Sequence, residues 1–450
     1  MFKFISSIQI LKNNLLQLVT TIFITLSLSQ NLVANPDGLL TLKAALKEAL
    51  EKNPAQLKQN EKINELQSQV GQTRSLILPT ITATGNAQYL KDSVNMGSAR
   101  FGGEGFNLYK LNIKLSQPLF QFGSFEAIES VKKDVEIQKK SDEISARDLS
   151  KNVILSYYNV VLNSFSLNIL IKQRRIVEES LATTIRREQS GRGQRIDVLQ
   201  VKTEIALLDS QIENAKNNFE IAIATLQSLA GNAQWTSLNI KPILPSPALT
   251  EVYSLVDESQ LNLPELTKNN LSLLKVENQR NVIWGQHLPQ LSFTGDLTYT
   301  NYSKSDLLDE MSKSYAFGLQ LTIPLFSGFS SIYQRQALSS QYLQFELEKA
   351  NLINQFTLLQ ISSKKSLESA KKSVENGEKA FQLAQQTLEE ANRKYNLGTI
   401  DFLQFLQVEK SYIQAQFSLY TYKYNYISNL TNYFINWGQD LSKLTELLDR

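Results

Sequence analysis

The chain has 450 residues, 46 basic and 43 acidic side chains, a net charge near +3, 18 glycines, 10 prolines, one histidine and no cysteine. Scarce glycine and proline favour long uninterrupted helices over a loop-rich fold. The near-balanced charge gives no reason to expect a nucleic-acid partner, and the lack of cysteine excludes disulfides and thiolate metal sites.

The N-terminus has the features of a secretory signal over residues 1–34. Lys3 and Lys12 precede the apolar run 15–29, and Ala34 supplies a small residue for cleavage. The alternative is a short membrane anchor, although the run is short for a span and rich in Ser and Thr. No later segment has eighteen consecutive apolar residues, so we expect no transmembrane helix after the signal.

The remainder of the chain contains a duplicated unit. Pro54 recurs as Pro264, and a Leu-Pro pair, a Pro-Leu-Phe triplet and a late glycine recur in the same order in both halves. Such ordered recurrence indicates a structural repeat. The predicted segments are a signal (1–34), a first repeat (35–232), a linker (233–249), a second repeat (250–437) and a C-terminal tail (438–450).

Each repeat contains two segments in which apolar and polar residues alternate. The predicted strands cover about 80–90, 107–117, 290–302 and 314–324. Strands of about ten residues with one apolar and one polar face are typical of a membrane barrel with a wet interior. A soluble, half-buried hairpin is the alternative that periodicity alone leaves open.

The strands are followed in each repeat by a very long helix and a second long helix. Apolar residues at spacings of three and four, such as Leu338, Tyr342 and Phe345, predict packing along the helix length. The chain turns on glycine within about 188–197 and within about 395–404, which predicts two helical hairpins. Four strands cannot close a barrel, whereas three copies give about twelve strands and an open channel. We therefore predict a homotrimer.

This ordered set of features resembles the TolC family of outer membrane efflux and secretion channels, over about residues 38–437. The resemblance implies a mainly α protein with membrane β-strands. A trimeric twelve-stranded barrel in the outer membrane of a Gram-negative bacterium would join a long periplasmic α-helical barrel. The resemblance also implies no catalytic activity and no cofactor or metal. It further implies opening at the helical tips by a periplasmic adaptor (membrane fusion) protein and an inner-membrane RND, ABC or MFS transporter.

The same resemblance assigns functional residues at the two tips. The implied periplasmic gate consists of Asp197, Tyr395, Ile400, Gln404 and Gln407, and the implied tip or adaptor contacts are Gly191, Arg192, Leu397, Gly398 and Thr399. The family pattern implies a hydrogen bond from the Tyr395 hydroxyl to Asp197. Ile400 stands where the family has an arginine, and Gln404 and Gln407 stand where it has aspartates. We therefore expect closure to depend unusually on the Tyr395–Asp197 pair, and cation selectivity to be weaker than the family pattern implies.

The first tip is also basic, since it carries Arg186, Arg187, Arg192 and Arg195. This cluster is either a solvated hairpin end or part of an adaptor contact. It lies between helices rather than after a strand, so a phosphate-binding loop is a poor interpretation of its glycines.

Two other classes of protein are alternatives. A secreted structural coiled-coil envelope protein would share the signal and the long helices, but would not need two matched pairs of strands. An enzyme is disfavoured because His287 is the only histidine and no nucleophilic cysteine exists. The transported substrate, and the choice between efflux and protein secretion, stay open because the transporter selects the substrate.

Overall fold

The computed structural model describes residues 39–90, 93–96, 99–102, 106–191, 193–231, 239–240, 242–257, 263–301 and 312–449. The predicted signal segment 1–34, Arg192 and part of the predicted linker 233–249 lie outside these residues. Strand β1 (Leu39–Leu40) pairs in parallel with β6 (Asn239–Ile240) in a small unit of its own. The other described elements belong to a second unit.

The second unit contains two similar series of helices and long strands, and the first series also contains the short strands β3 and β4. The first set is α1 (Leu42–Lys52), α2 (Pro54–Arg74), β2 (Thr80–Leu90), β3 (Ser93–Met96), β4 (Ala99–Gly102), β5 (Phe106–Phe120), α3 (Phe122–Gln189) and α4 (Arg195–Ala230). The second set is α5 (Leu249–Leu255), α6 (Pro264–Gly285), β7 (Gln290–Asn301), β8 (Ser312–Thr322), α7 (Ser330–Asn396) and α8 (Phe402–Asn436). A final helix, α9 (Leu441–Asp449), lies in the segment that we predicted as a tail.

The recurring prolines have a local structural role. Pro54 and Pro264 each occupy the first turn of a helix, α2 and α6 respectively. Proline is well tolerated there because its missing N–H would have no partner within the helix. The short helix α5 that precedes Pro264 ends at Leu255, and residues 258–262 lie outside the described part of the chain.

The long strands form one antiparallel four-stranded sheet with the order β2-β5-β7-β8. Strand β5 pairs with β7, so the two repeats meet at the centre of the sheet. In the described part of the chain, β2 and β8 each pair on one side only. The four predicted strands are thus present and adjacent, and each outer strand offers an unpaired edge.

The register of the sheet sorts side chains by polarity. Ile113 pairs with Leu297 and Leu297 with Tyr315, so apolar residues occupy one face across three strands. Asn112 lies on the other face and donates to Thr298 Oγ1 over 2.8 Å. A sheet with one apolar and one polar face fits the wall of a membrane barrel.

The glycines near the strand ends allow close packing. A Cβ on Gly285 would lie 2.7 Å from the backbone nitrogen of Gly123, so α6 and the start of α3 approach backbone to backbone. A Cβ on Gly295 in β7 would lie 3.1 Å from the ring of Phe317 in β8, so this ring covers the glycine. Gly123, which follows the Pro-Leu-Phe triplet of the first repeat, therefore allows α3 and α6 to pack closely.

The helices pack along their lengths. Helix α3 contacts α4 and α6, and α7 contacts α8. With 68 residues, α3 is about 100 Å long by helix rise. A helix of this length needs such packing, because isolated helices gain little stability from propensity alone.

One segment of α3 is apolar enough to cross a membrane by length and composition alone. This finding differs from our expectation that no such helix follows the signal. Val153, Ile154 and Tyr157 of α3 are nevertheless 0–5% exposed within the chain. Because these side chains are already buried by protein, we assign α3 to the helical core.

Helix α9 packs the C-terminal end of the chain against α3. Leu444 of α9 is fully buried, and the Tyr158 hydroxyl of α3 donates to the Leu448 carbonyl over 3.5 Å. Burial raises the pKa of Tyr158, which therefore stays protonated. The C-terminal residues are thus part of the folded helical core.

Candidate functional site

Two hairpin tips form the candidate site, and a glycine enables each turn. Helix α3 ends at Gln189 and α4 begins at Arg195, whereas α7 ends at Asn396 and α8 begins at Phe402. Gly191 and Gly398 have φ angles of +72° and +76°. An added Cβ would meet nothing within 4 Å at either glycine. Glycine is therefore required at both positions by the left-handed backbone and not by a lack of room for a side chain.

The helix that follows each turn is capped by a side chain. Asp401 accepts from the Gln404 backbone N–H over 2.7 Å at the start of α8. At the start of α4, Asp197 accepts from the Gln194 backbone N–H over 3.2 Å as part of a capping box. Carboxylates in these positions satisfy free N–H groups and interact favourably with the helix dipole.

Near the tips, the two hairpins share one apolar core, which we call the tip cluster. Its buried members are Leu170, Val177, Val201, Leu208, Ala215, Ala391, Tyr395, Phe402, Phe405 and Leu406. They come from all four long helices, α3, α4, α7 and α8. Separation of the hairpins would therefore expose apolar surface to water.

Tyr395 is the most extensively contacted of the predicted gate residues. Its side chain is 4% exposed, and its ring stacks on Phe405 with centroids 4.9 Å apart. The Arg187 guanidinium of the other hairpin lies 4.7 Å from the ring centroid, and Arg187 Nη2 donates to the Tyr395 carbonyl over 2.9 Å. The hydroxyl lies 3.5 Å from Thr184 Oγ1. Arg187 thus contacts Tyr395 in two ways across the interface between the hairpins.

Within the described chain, Tyr395 and Asp197 do not form the hydrogen bond that the family resemblance implies, and a bond between copies of the chain stays a prediction. The Tyr395 hydroxyl faces Thr184, and the Asp197 carboxylate belongs to the capping box of its own helix. The physical reason is that the tyrosine ring enters the apolar tip cluster, while the short aspartate side chain is satisfied by its local backbone. In the sequence Arg187 is visible only as a member of a basic cluster, and no local signal indicates its contact with Tyr395.

The other predicted site residues differ in their exposure and contacts. Ile400 packs against the tip cluster, and Leu397 is 78% exposed at the turn. Thr399 donates through Oγ1 to the Lys394 carbonyl over 2.9 Å. Gln404 and Gln407 lie on the exposed face of α8, away from the buried cluster residues. Arg192 lies outside the described residues.

A second polar connection joins the hairpins near the tip cluster. Lys410 Nζ of α8 lies 2.9 Å from Glu204 Oε2 of α4, and the Glu204 side chain is 11% exposed. The neighbouring Glu409 is 1% exposed, and among the described residues neither of its carboxyl oxygens has a hydrogen-bond partner. Burial and the charge of Glu204 raise the pKa of Glu409 to about 7, against the opposing effect of Lys410.

Lys410 and Gln407 also line an open groove between α7 and α8 with a volume of about 680 Å³. Its other walls include Asn376, Gln414 and Tyr422, so the lining combines polar and apolar groups. His287 is exposed, outside the tips. Among the described residues, no group of three or more His, Cys, Asp or Glu side chains could hold a metal ion.

The antiparallel sheet with opposed apolar and polar faces, followed by hairpins about 100 Å long by helix rise, defines a channel-forming protein of a bacterial outer membrane. The chain belongs to the outer membrane efflux protein family, which matches residues 45–232 and 255–432. This family is a transport family and not an enzyme family.

Two curated proteins and a solved structure illustrate what the chain is similar to. The outer membrane protein TolC of Escherichia coli is 24% identical over 420 residues, covering 87% of this chain and 80% of TolC. The proteases secretion protein PrtF of Dickeya chrysanthemi is 23% identical over 387 residues, covering 81% of each chain. The crystal structure of the Campylobacter jejuni CmeC outer membrane channel matches with a TM-score of 0.73 and 17% identity, covering 91% of this chain and 89% of CmeC. The chain is therefore an outer membrane channel for efflux or type I secretion.

Proposed function

We propose that the chain is one subunit of a homotrimeric passive exit channel, which is opened at its periplasmic tips by an adaptor protein and an inner-membrane transporter. The transporter would be of the RND, ABC or MFS type and would supply the energy. The observation that carries the trimer is the open sheet, whose outer strands β2 and β8 keep unpaired edges in the described chain.

The exposure of β8 supports closure of the sheet by further copies. Tyr315, Phe317 and Leu319 of β8 are 73%, 71% and 67% exposed in one chain. A long apolar edge strand in water promotes aggregation. Pairing β8 of one copy with β2 of the next removes the edges and leaves the apolar face to lipid. Twelve strands from three copies would leave an open lumen, whereas about eight would be filled by side chains.

The hairpin tips are the proposed contact with the adaptor. Leu397 is 78% exposed, and the turn glycines Gly191 and Gly398 bring backbone to the surface on both hairpins. Exposed apolar residues at a tip suit a protein partner. We assign Leu397, Thr399 and both glycines to this contact, together with Arg192 on sequence grounds.

The gate is proposed to consist of contacts that hold the second hairpin against the first. Within one chain, the Arg187–Tyr395 contact and the tip cluster with Ile400 supply this attachment. Asp197 orders the start of α4. Gln404 and Gln407 would face neighbouring copies in the trimer and make the constriction polar without negative charge, so cation preference should be weak.

Export by cells tests the proposal. Cells that lack the protein should regain export with the natural chain but not with Leu397→Asp, which places a charge at the proposed adaptor contact. Leu397→Asp should still give a trimer in the outer membrane. The matched control is Leu383→Asp, which makes the same change at an exposed position of α7 about 20 Å from the tip by helix rise. Normal export by Leu397→Asp, or equal loss in both variants, would overturn the tip assignment.

A further inference from the structure

The buried carboxyl of Glu409 lies on the apolar face of α8. The residues of α8 that enter the tip cluster are Phe402, Phe405 and Leu406, and Glu409 continues this series at helical spacing of three and four. On α4, Glu204 follows the buried residue Val201 in the same way. Two carboxyl groups therefore occupy positions where the hairpins pack and where apolar residues are expected.

Among the residues that the structure describes, Glu409 forms no ion pair of its own. The adjacent ammonium of Lys410 is paired with Glu204 at 2.9 Å, and neither oxygen of Glu409 has a hydrogen-bond partner among the described residues. An ionised carboxylate that is buried without such partners is strongly destabilising, so the group becomes neutral by binding a proton. The closed packing is therefore compatible with protonated Glu409.

The charged groups that act on Glu409 come from α4 and from α8 itself. Glu204 of α4 opposes ionisation of Glu409, and Lys410 of α8 favours it. Tyr395 of α7 and Arg187 of α3 lie in the same tip region but engage each other. The remaining tip-cluster members from α3 and α7 are apolar, namely Leu170, Val177 and Ala391. Burial is the largest effect, and the pKa of Glu409 rises to about 7.

We propose that Glu409 is a proton-binding site between the two hairpins, and that loss of its proton favours separation of the tips. The proposal rests on the proposed function, since it concerns the same tips. Separation of the hairpins would hydrate the carboxyl and allow it to ionise freely. The closed packing and the bound proton therefore stabilise each other.

The direction of the pH effect follows from the two states. Below about pH 4.5, the ordinary pKa of an exposed glutamate, the carboxyl is protonated in both states and exerts no preference. As the pH rises towards 7, the separated state ionises first and gains stability. Above about pH 7 the carboxyl is ionised in the closed state too, and that state then carries the full free-energy cost of the buried charge. Tip closure is thus strongest at acidic pH and weakest at alkaline pH.

The experiment uses the absence of cysteine in the natural chain. Nitroxide labels at Gln189→Cys and Arg393→Cys place one probe on each hairpin, and labelled chains are mixed with excess unlabelled chains in reconstituted protein. Electron–electron distance measurements at pH 5.5 and pH 8 then report tip separation. With a pKa of about 4.5 in the separated state and about 7 in the closed state, the separated-to-closed ratio should rise roughly thirtyfold between these pH values.

Glu409→Gln should keep the short distance at both pH values, because its amide cannot ionise. Glu409→Met, which is apolar, should do the same if the glutamine variant folds poorly. The control Glu389→Gln, at an exposed glutamate of α7, should respond to pH like the natural chain. An unchanged distance in the natural chain between pH 5.5 and 8, or an undiminished response in Glu409→Gln, would overturn the proposal.

Conductance of the same preparations distinguishes this inference from the proposed function. If the distance between the two labels depends on pH but the protein shows no conductance, the proton-binding site is supported and the channel function is contradicted. Conductance with a pH-independent distance would contradict the proton site alone.

Discussion

Replacement of Arg187 should open the tips more than removal of the Tyr395 hydroxyl. Arg187 contributes a charged hydrogen bond of 2.9 Å to the Tyr395 carbonyl and a contact 4.7 Å from the ring centroid. A hydrogen bond with a charged donor contributes about 1.5–3 kcal/mol, and a cation–π contact about 0.5–2 kcal/mol. Because the two contacts share one side chain, we expect Arg187→Gln to cost about 2–4 kcal/mol per chain.

The Tyr395→Phe variant provides the comparison. The hydroxyl contacts Thr184 at 3.5 Å, the limit of a hydrogen bond, and the ring stacking on Phe405 stays in the variant. We expect Tyr395→Phe to cost less than about 1 kcal/mol. Arg187→Lys should be intermediate, since lysine keeps the charge but loses the planar stacking.

Single-channel conductance of the purified protein in planar bilayers measures these differences. The open fraction should rise at least about tenfold in Arg187→Gln for a cost above about 1.4 kcal/mol, and little in Tyr395→Phe. Unfolding of the detergent-solubilised protein serves as the control for general destabilisation. Strong opening of the channel by Tyr395→Phe, together with a channel that stays closed in Arg187→Gln, would refute this ranking. That pattern is expected for a Tyr395–Asp197 bond between copies.

Three further outcomes follow from the structure. Block by trivalent cations from the tip side should be weak in the natural channel and strong in Gln404→Asp/Gln407→Asp, because the added carboxylates bind multivalent cations; tight block of the natural channel would contradict this. Gly285→Ala should lower the free energy of unfolding by about 1–3 kcal/mol in denaturant titrations, since its Cβ would lie 2.7 Å from the Gly123 nitrogen. An unchanged unfolding midpoint would show that α3 and α6 can shift apart without cost. Asp401→Ala should cost about 1 kcal/mol through loss of the α8 cap, detectable as faster amide exchange at the start of α8, whereas unaltered exchange would rule out a capping role.

Elements whose determinants are local were predictable from the sequence. The alternation of Leu111 and Ile113 with polar neighbours predicted a strand, and this stretch lies in the middle of β5. Gly191 and Gly398 predicted the turns, because a left-handed backbone position favours glycine. The pairing of β5 with β7 at the centre of the sheet was not predictable, since nothing in either strand specifies which neighbour it selects.

At the tips, the residue types indicated the site but not the contacts. Tyr395 lies where the family resemblance suggested, yet its partner is decided by packing between α3 and α7 and not by local sequence. Arg187 was visible only as one of several arginines. Glu409 did carry a signal, because it follows Phe405 and Leu406 at helical spacing and so lies on the buried face. An acidic residue in an apolar stripe can therefore be found before a structure exists.

The number of chains in the assembled protein tests the central claim most directly. Light scattering of the detergent-purified protein, corrected for bound detergent, gives the mass of protein in each particle, and circular dichroism of the same sample confirms that the strands are present. A sheet of four strands with two unpaired edges predicts a particle of three chains. A stable monomer or dimer that keeps its strand signal would contradict a channel closed by three copies.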